Sequence, residues 1–133
     1  REGVPLRALI GGPPGEGGPP PFDDSVFRRA VLGPETRAAG LRVTVVELYE
    51  GGAVVHWHLA REDGARVDFD RHDPVALEDP LGTSYAAAES AWEVSEHGGY
   101  ASGHACFAPA VPADAGHLDV VVRDANRLRI PLR

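Results

Sequence analysis

Three short runs in this chain of 133 residues hold side chains able to do chemistry. The first is His56-Trp57-His58. On a β-strand, side chains two apart leave the same face with Cα atoms about 7 Å apart, which lets two imidazoles share one metal ion. The second is His104-Ala105-Cys106, again an i, i+2 pair. On a strand beside the first, it would bring four N/S ligands together, as in a structural zinc site. The third is the acidic run Asp68, Asp70, His72 and Asp73.

Each run also has a plainer reading. Cupin barrels pair an H-x-H with a glutamate a few residues on and a distant histidine, places that Glu62 and His104 occupy here. His56, His58, Glu62 and His104 are therefore the candidate metal set, for Zn²⁺, Fe²⁺, Mn²⁺ or Ni²⁺. The remaining cupin pattern fails, because Phe69 and not glycine stands seven residues beyond Glu62. Histidines on a polar sheet face fit the residues better, with no cofactor expected. Cys106 reads best as a small buried hydrophobe. It is a poor nucleophile for His104, because side chains two apart on a strand run parallel. The acidic run lacks the glycine and the terminal glutamate of an EF-hand loop and reads as a solvated loop. Glu47 and Glu50, or Glu89 and Glu93, are carboxylate pairs with no fixed separation on strands, so no glycosidase role is assigned. The serines lack a G-x-S-x-G elbow, and no P-loop or G-x-G-x-x-G occurs. The chain is expected to be non-catalytic.

The elements that carry these residues are strands. Leu41–Glu50 (LRVTVVELYE) alternates, with Val43 and Val45 expected on one face and Arg42 and Thr44 on the other. A Gly51-Gly52 turn leads into AVVHWHLA, so the two runs read as a hairpin. In the second run Val55, Trp57 and Leu59 share a face, which belongs inside. Val54, His56 and His58 share the opposite face. Further strands are expected at Val75–Glu78, after Ala88, at Tyr100–Phe107, at His117–Arg123 and over Leu128–Leu132. Pro131 makes the last an edge strand or a bulge. Tyr49, Trp92 and Tyr100 are the candidate partner surface if they are exposed together.

Composition agrees with this picture. A hydrophobic fraction of 43% with 16 Gly and 12 Pro suits short strands and many turns. The net charge of -7 argues against gripping nucleic-acid phosphates or docking on anionic lipid. All 13 basic residues are arginine, a pattern of GC-rich bacterial genomes. The single cysteine excludes an internal disulfide framework. No signal peptide or membrane span is visible, so a soluble protein is expected, with the cytoplasm favoured and the compartment left open. With no Met at residue 1, the chain is expected to be a fragment, a processed product or the ordered part of something longer. Residues 1–25, with GGPPGEGGPPP at 11–21, are expected to be an N-terminal extension and linker. Residues 26–133 form the domain.

Two further segments complete the pattern: VALEDPLGTSY (Val75–Tyr85), and Cys106-Phe107-Ala108-Pro109-Ala110-Val111-Pro112 ahead of an L-x-V-x-V strand. Over roughly Val26–Arg133 the order of motifs resembles a group of bacterial, largely actinobacterial, immunoglobulin-like domains with no established activity. There an Asp-x-x-Gly-Thr-x-Tyr turn and a Phe-x-Pro-x-x-Pro segment precede the closing strands. The resemblance implies an all-β fold, an immunoglobulin-like antiparallel β-sandwich of seven or eight strands, and transfers no active site. The expected role is a non-catalytic interaction or accessory module with a protein partner. The alternative is a small metal-binding, cupin-like protein. A homo-oligomer through an exposed edge strand is the further option.

Overall fold

The computed structural model describes residues 26–38, 40–60, 75–122 and 126–132. They form eight strands: β1 (Phe27–Leu32), β2 (Leu41–Tyr49), β3 (Gly52–Ala60), β4 (Val75–Glu78), β5 (Ala86–Val94), β6 (Tyr100–Ala108), β7 (His117–Val122) and β8 (Asn126–Pro131). These make a five-stranded sheet in the order β1-β2-β3-β6-β5 and a three-stranded sheet in the order β4-β7-β8. Every pairing is antiparallel. The fold is an all-β sandwich.

Alternation drives the packing. Val55 and Trp57 from β3 are buried, as are Ala101, Ala105 and Phe107 from β6. They meet Val75 and Leu77 from β4, Leu118, Val120 and Val122 from β7, and Leu128 and Ile130 from β8 in one core. Trp57 is 1% exposed. Truncating a side chain of that size in a packed core costs about 3–5 kcal/mol. Pro131 ends β8, an edge strand of the small sheet, where the missing amide hydrogen costs no ladder bond.

Besides a bulge between Phe27 and Arg29 of β1, two bulges reset the alternation in the large sheet. Val43 pairs with Trp57 and Val45 pairs with His56, leaving Thr44 as the extra residue. The expected common face of Val43 and Val45 is therefore corrected. Val43, Val46 and Leu48 point into the core, whereas Val45 reaches the opposite face and lines a groove there. An inserted residue shifts the period-two pattern by one, so every side chain beyond it changes side. A second bulge, between Ala87 and Glu89, does the same near the start of β5.

The Asp-x-x-Gly-Thr-x-Tyr run makes the β4–β5 turn. Asp79 Oδ1 accepts from the Leu81 and Thr83 amides at 2.9 and 3.1 Å, and Oδ2 accepts from the Tyr85 hydroxyl at 2.7 Å. Gly82 sits at φ +80°, a conformation that side chains rarely adopt. Partial burial pushes the Asp79 carboxyl up, but these hydrogen bonds outweigh it and hold the group below its ordinary value. The run is structural, a local lock on the turn.

Candidate functional site

The face of the large sheet that points away from the small sheet gathers most of the chemistry-bearing residues. β3 sends out Val54, His56 and His58 because Val55 and Trp57 take the inner face. Register places Cys106, His104 and Ser102 of β6 opposite them in that order. β5 adds Glu89, Ala91 and Glu93 to the same three rows. The row between them faces inward and runs Val43, Trp57, Gly103 and Trp92. A Cβ on Gly103 would lie 2.7 Å from Trp57 Cζ2, 2.7 Å from Trp92 Cβ and 2.6 Å from the Ala91 carbonyl oxygen. Only glycine lets the two indoles flank β6 so closely.

Three contacts organise the histidines. His56 Nε2 lies 2.8 Å from Glu47 Oε1, a hydrogen-bonded ion pair when the ring is protonated. The His56 and His104 rings face each other across the ladder with centroids 5.8 Å apart. His58 Nδ1 is hydrogen-bonded to the Tyr100 hydroxyl, and their rings meet edge to face at 5.5 Å. Between these groups lies an open groove of about 540 Å³, lined among others by Val45, His56, His58, Trp92, Glu93, Ser102 and His104. At the other end of the face, Val54, Ala88 and Cys106 form a separate buried apolar cluster with Tyr49 against it. The buried thiol of Cys106 belongs to that cluster.

The candidate metal set is partly assembled. His56 and His104 are direct cross-strand neighbours, His58 is engaged by Tyr100, and Glu62 lies outside the described residues. Among the described residues, no group of three or more His, Cys, Asp or Glu side chains is arranged to hold a metal ion. The acidic run Asp68–Asp73 also lies outside the described residues.

The three aromatic residues named as a partner surface are not one patch. Tyr49 pairs with Gly52 and Tyr100 pairs with Ala60, opposite ends of β3. That separation is about 26 Å at the rise of a strand. Tyr49 packs edge to face on Phe27 at 5.6 Å. Trp92 packs against the main core and also lines the groove. Sequence reasoning missed Val45 and Glu47 as members of this face. The bulge at Thr44 that decides their side leaves no mark in LRVTVVELYE, where unbroken alternation reads equally well.

The outer face of the small sheet is different. Asp119, 9% exposed, accepts from Arg129 Nε at 3.0 Å and Nη2 at 3.3 Å. Arg127 pairs with Glu78 and approaches Asp119 at 3.8 Å. The hydrogen-bonded Arg129 holds the Asp119 carboxyl below its ordinary value; partial burial opposes this, and the nearby Arg129, His117 and Arg127 charges add to it.

No family model, curated protein or solved structure matches this chain.

Proposed function

We propose that the chain is a non-catalytic interaction or accessory module on an immunoglobulin-like sandwich, docking a protein partner on the outer face of its five-stranded sheet. The strand order supports the fold part of this reading. Without β1, the sheets run β2-β3-β6-β5 and β4-β7-β8, the ABED and CFG orders of an immunoglobulin constant-type sandwich, with β1 added outside β2. The resemblance to bacterial immunoglobulin-like domains fits the same order.

The groove carries the functional part. A concave strip with a partly buried tryptophan at its side and imidazoles along it suits aromatic or polar side chains of a partner. The charged face of the small sheet is laced by carboxylate–guanidinium pairs. The test compares two variants as baits against the same extract, Ser102→Arg in the groove and Arg127→Ala on the small sheet. A partner held by the wild-type chain and by Arg127→Ala, but lost by Ser102→Arg, supports the reading. Equal capture by both variants defeats it.

The second reading is a divalent transition metal on His56, His58, Glu62 and His104. The direct pairing of His56 with His104 favours it. Stoichiometric metal after mild purification, lost in His56→Ala, would put it first.

A further inference from the structure

β1 ends the five-strand order, and among the described residues no strand pairs with its outer edge. Open edges are ordinarily guarded by charges, by proline or by a covering segment. The charges of β1 are Arg28 and Arg29, and both are engaged inside their own chain. Arg28 Nη1 donates to the Val111 carbonyl at 3.3 Å and Arg29 Nη2 to the Leu132 carbonyl at 2.7 Å. Arg28 and Arg29 are themselves exposed, and beside them the strand shows solvent large apolar side chains: Phe27 is 55% exposed, Leu32 81%, and Val26, just before the strand, 46%.

The backbone phase of this edge is defined. The Gly33 amide donates to the Thr44 carbonyl at 2.9 Å. Strand alternation then turns the hydrogen-bonding groups of Val31 toward β2 and those of Ala30 and Leu32 toward the open edge. We infer that this edge pairs antiparallel with β1 of a second copy about a two-fold axis at Val31, joining two five-stranded sheets into one.

Phase and chemistry together choose that register. Antiparallel pairing sets outward-facing residues opposite outward-facing residues, which centres the two-fold on Ala30 or on Val31. Centred on Ala30, Leu32 of one copy meets Arg28 of the other. Centred on Val31, Leu32 meets Ala30 twice, Val31 meets Val31, and the arginines keep their bonds to Val111 and Leu132. Because Val31 already pairs with Val46, the inner row across the joint becomes four valines. The strand is therefore self-complementary in one register, the requirement for an isologous contact. Pro34 bounds the pairing on one side, and the bulge at Phe27–Arg29 bounds it on the other. So short an edge buries well below the roughly 1,600 Å² of a standard interface, so the dimer is transient, with Kd on the order of hundreds of micromolar.

Sedimentation velocity on the full chain, from micromolar to millimolar concentration, tests this. The weight-average mass is expected to rise from 14.1 kDa toward twice that value, reversibly on dilution. Leu32→Lys, at a position already 81% exposed, is expected to hold the mass at the monomer value with unchanged thermal unfolding. The groove variant Ser102→Arg is expected to dimerise like wild type, which separates this inference from the docking reading. A wild-type chain that stays monomeric at 1 mM (about three Kd at roughly 300 µM), or a dimer that survives Leu32→Lys, would overturn it.

Discussion

On the outer face of the three-stranded sheet, Glu78, Asp119, Arg127 and Arg129 answer one another. On the outer face of the five-stranded sheet, His56, His58, Glu93, Ser102 and His104 line a groove, with Tyr100 against His58. Both faces cover the same core, and both are mostly polar. The first is electrostatically closed, because each charge has an opposite charge within reach. The second carries imidazoles in contact with a carboxylate, a phenol and one another. Polar content alone therefore does not distinguish the two faces. What differs is the kind of pairing: carboxylate–guanidinium pairs on the small sheet, and imidazole contacts with a carboxylate and a phenol beside an open groove on the large one.

The largest expected effect comes from breaking the support beneath the groove. Gly103→Val drives a side chain between Trp57 and Trp92, and overpacking of this kind costs about 3 kcal/mol. Urea unfolding should show a lower midpoint with an unchanged slope. Unaltered stability would mean that β6 does not run between the two indoles.

Asp119→Ala tests the closed face. It removes a bidentate partner from Arg129 and should cost about 1–2 kcal/mol by chemical denaturation. The pH dependence gives the sign. The folded-state carboxyl lies below its ordinary value of 3.8, so its stabilisation is complete above that value and fades as pH falls through the lower, folded one. Asp119→Asn should accordingly flatten part of the stability loss below about pH 4. An unchanged acid limb would remove Asp119 from the account.

Effects on the open face should be smaller. His56→Ala severs a partly exposed pair with Glu47 and should change stability by about 0.5 kcal/mol or less. A change of several times that size would show the histidine row to be structural. Smallest of all, a few equivalents of Zn²⁺ should move the melting temperature by less than about 1 °C, because weak association adds little to the folded state. A rise of roughly 5 °C, abolished in His56→Ala, would replace docking by metal binding as the better reading of the same face.

Much of this was legible in one dimension. The period-two pattern of AVVHWHLA was enough to send Trp57 in and His56 and His58 out, because successive side chains of a strand must alternate. Turn chemistry at Gly51-Gly52 and at Asp79–Tyr85 marked where strands stop. Seven of the eight strands, all but β1, and an edge position for Pro131 follow from the same local rules.

The composition of the groove was not legible, for two reasons. A bulge at Thr44 inverts the side on which Val45 and Glu47 lie, and nothing in the alternation of LRVTVVELYE marks it. Cross-strand neighbours also depend on register between segments far apart in the chain. His104 stands opposite His56 because β3 and β6 pair in one particular phase, and a slip of one residue would have put it on the other face. The histidines, the first residues to suggest chemistry, were placed on the outside by local alternation alone. Their companions there, Glu47, His104 and the groove beside Trp92, were chosen by long-range pairing and core packing, which no local pattern encodes.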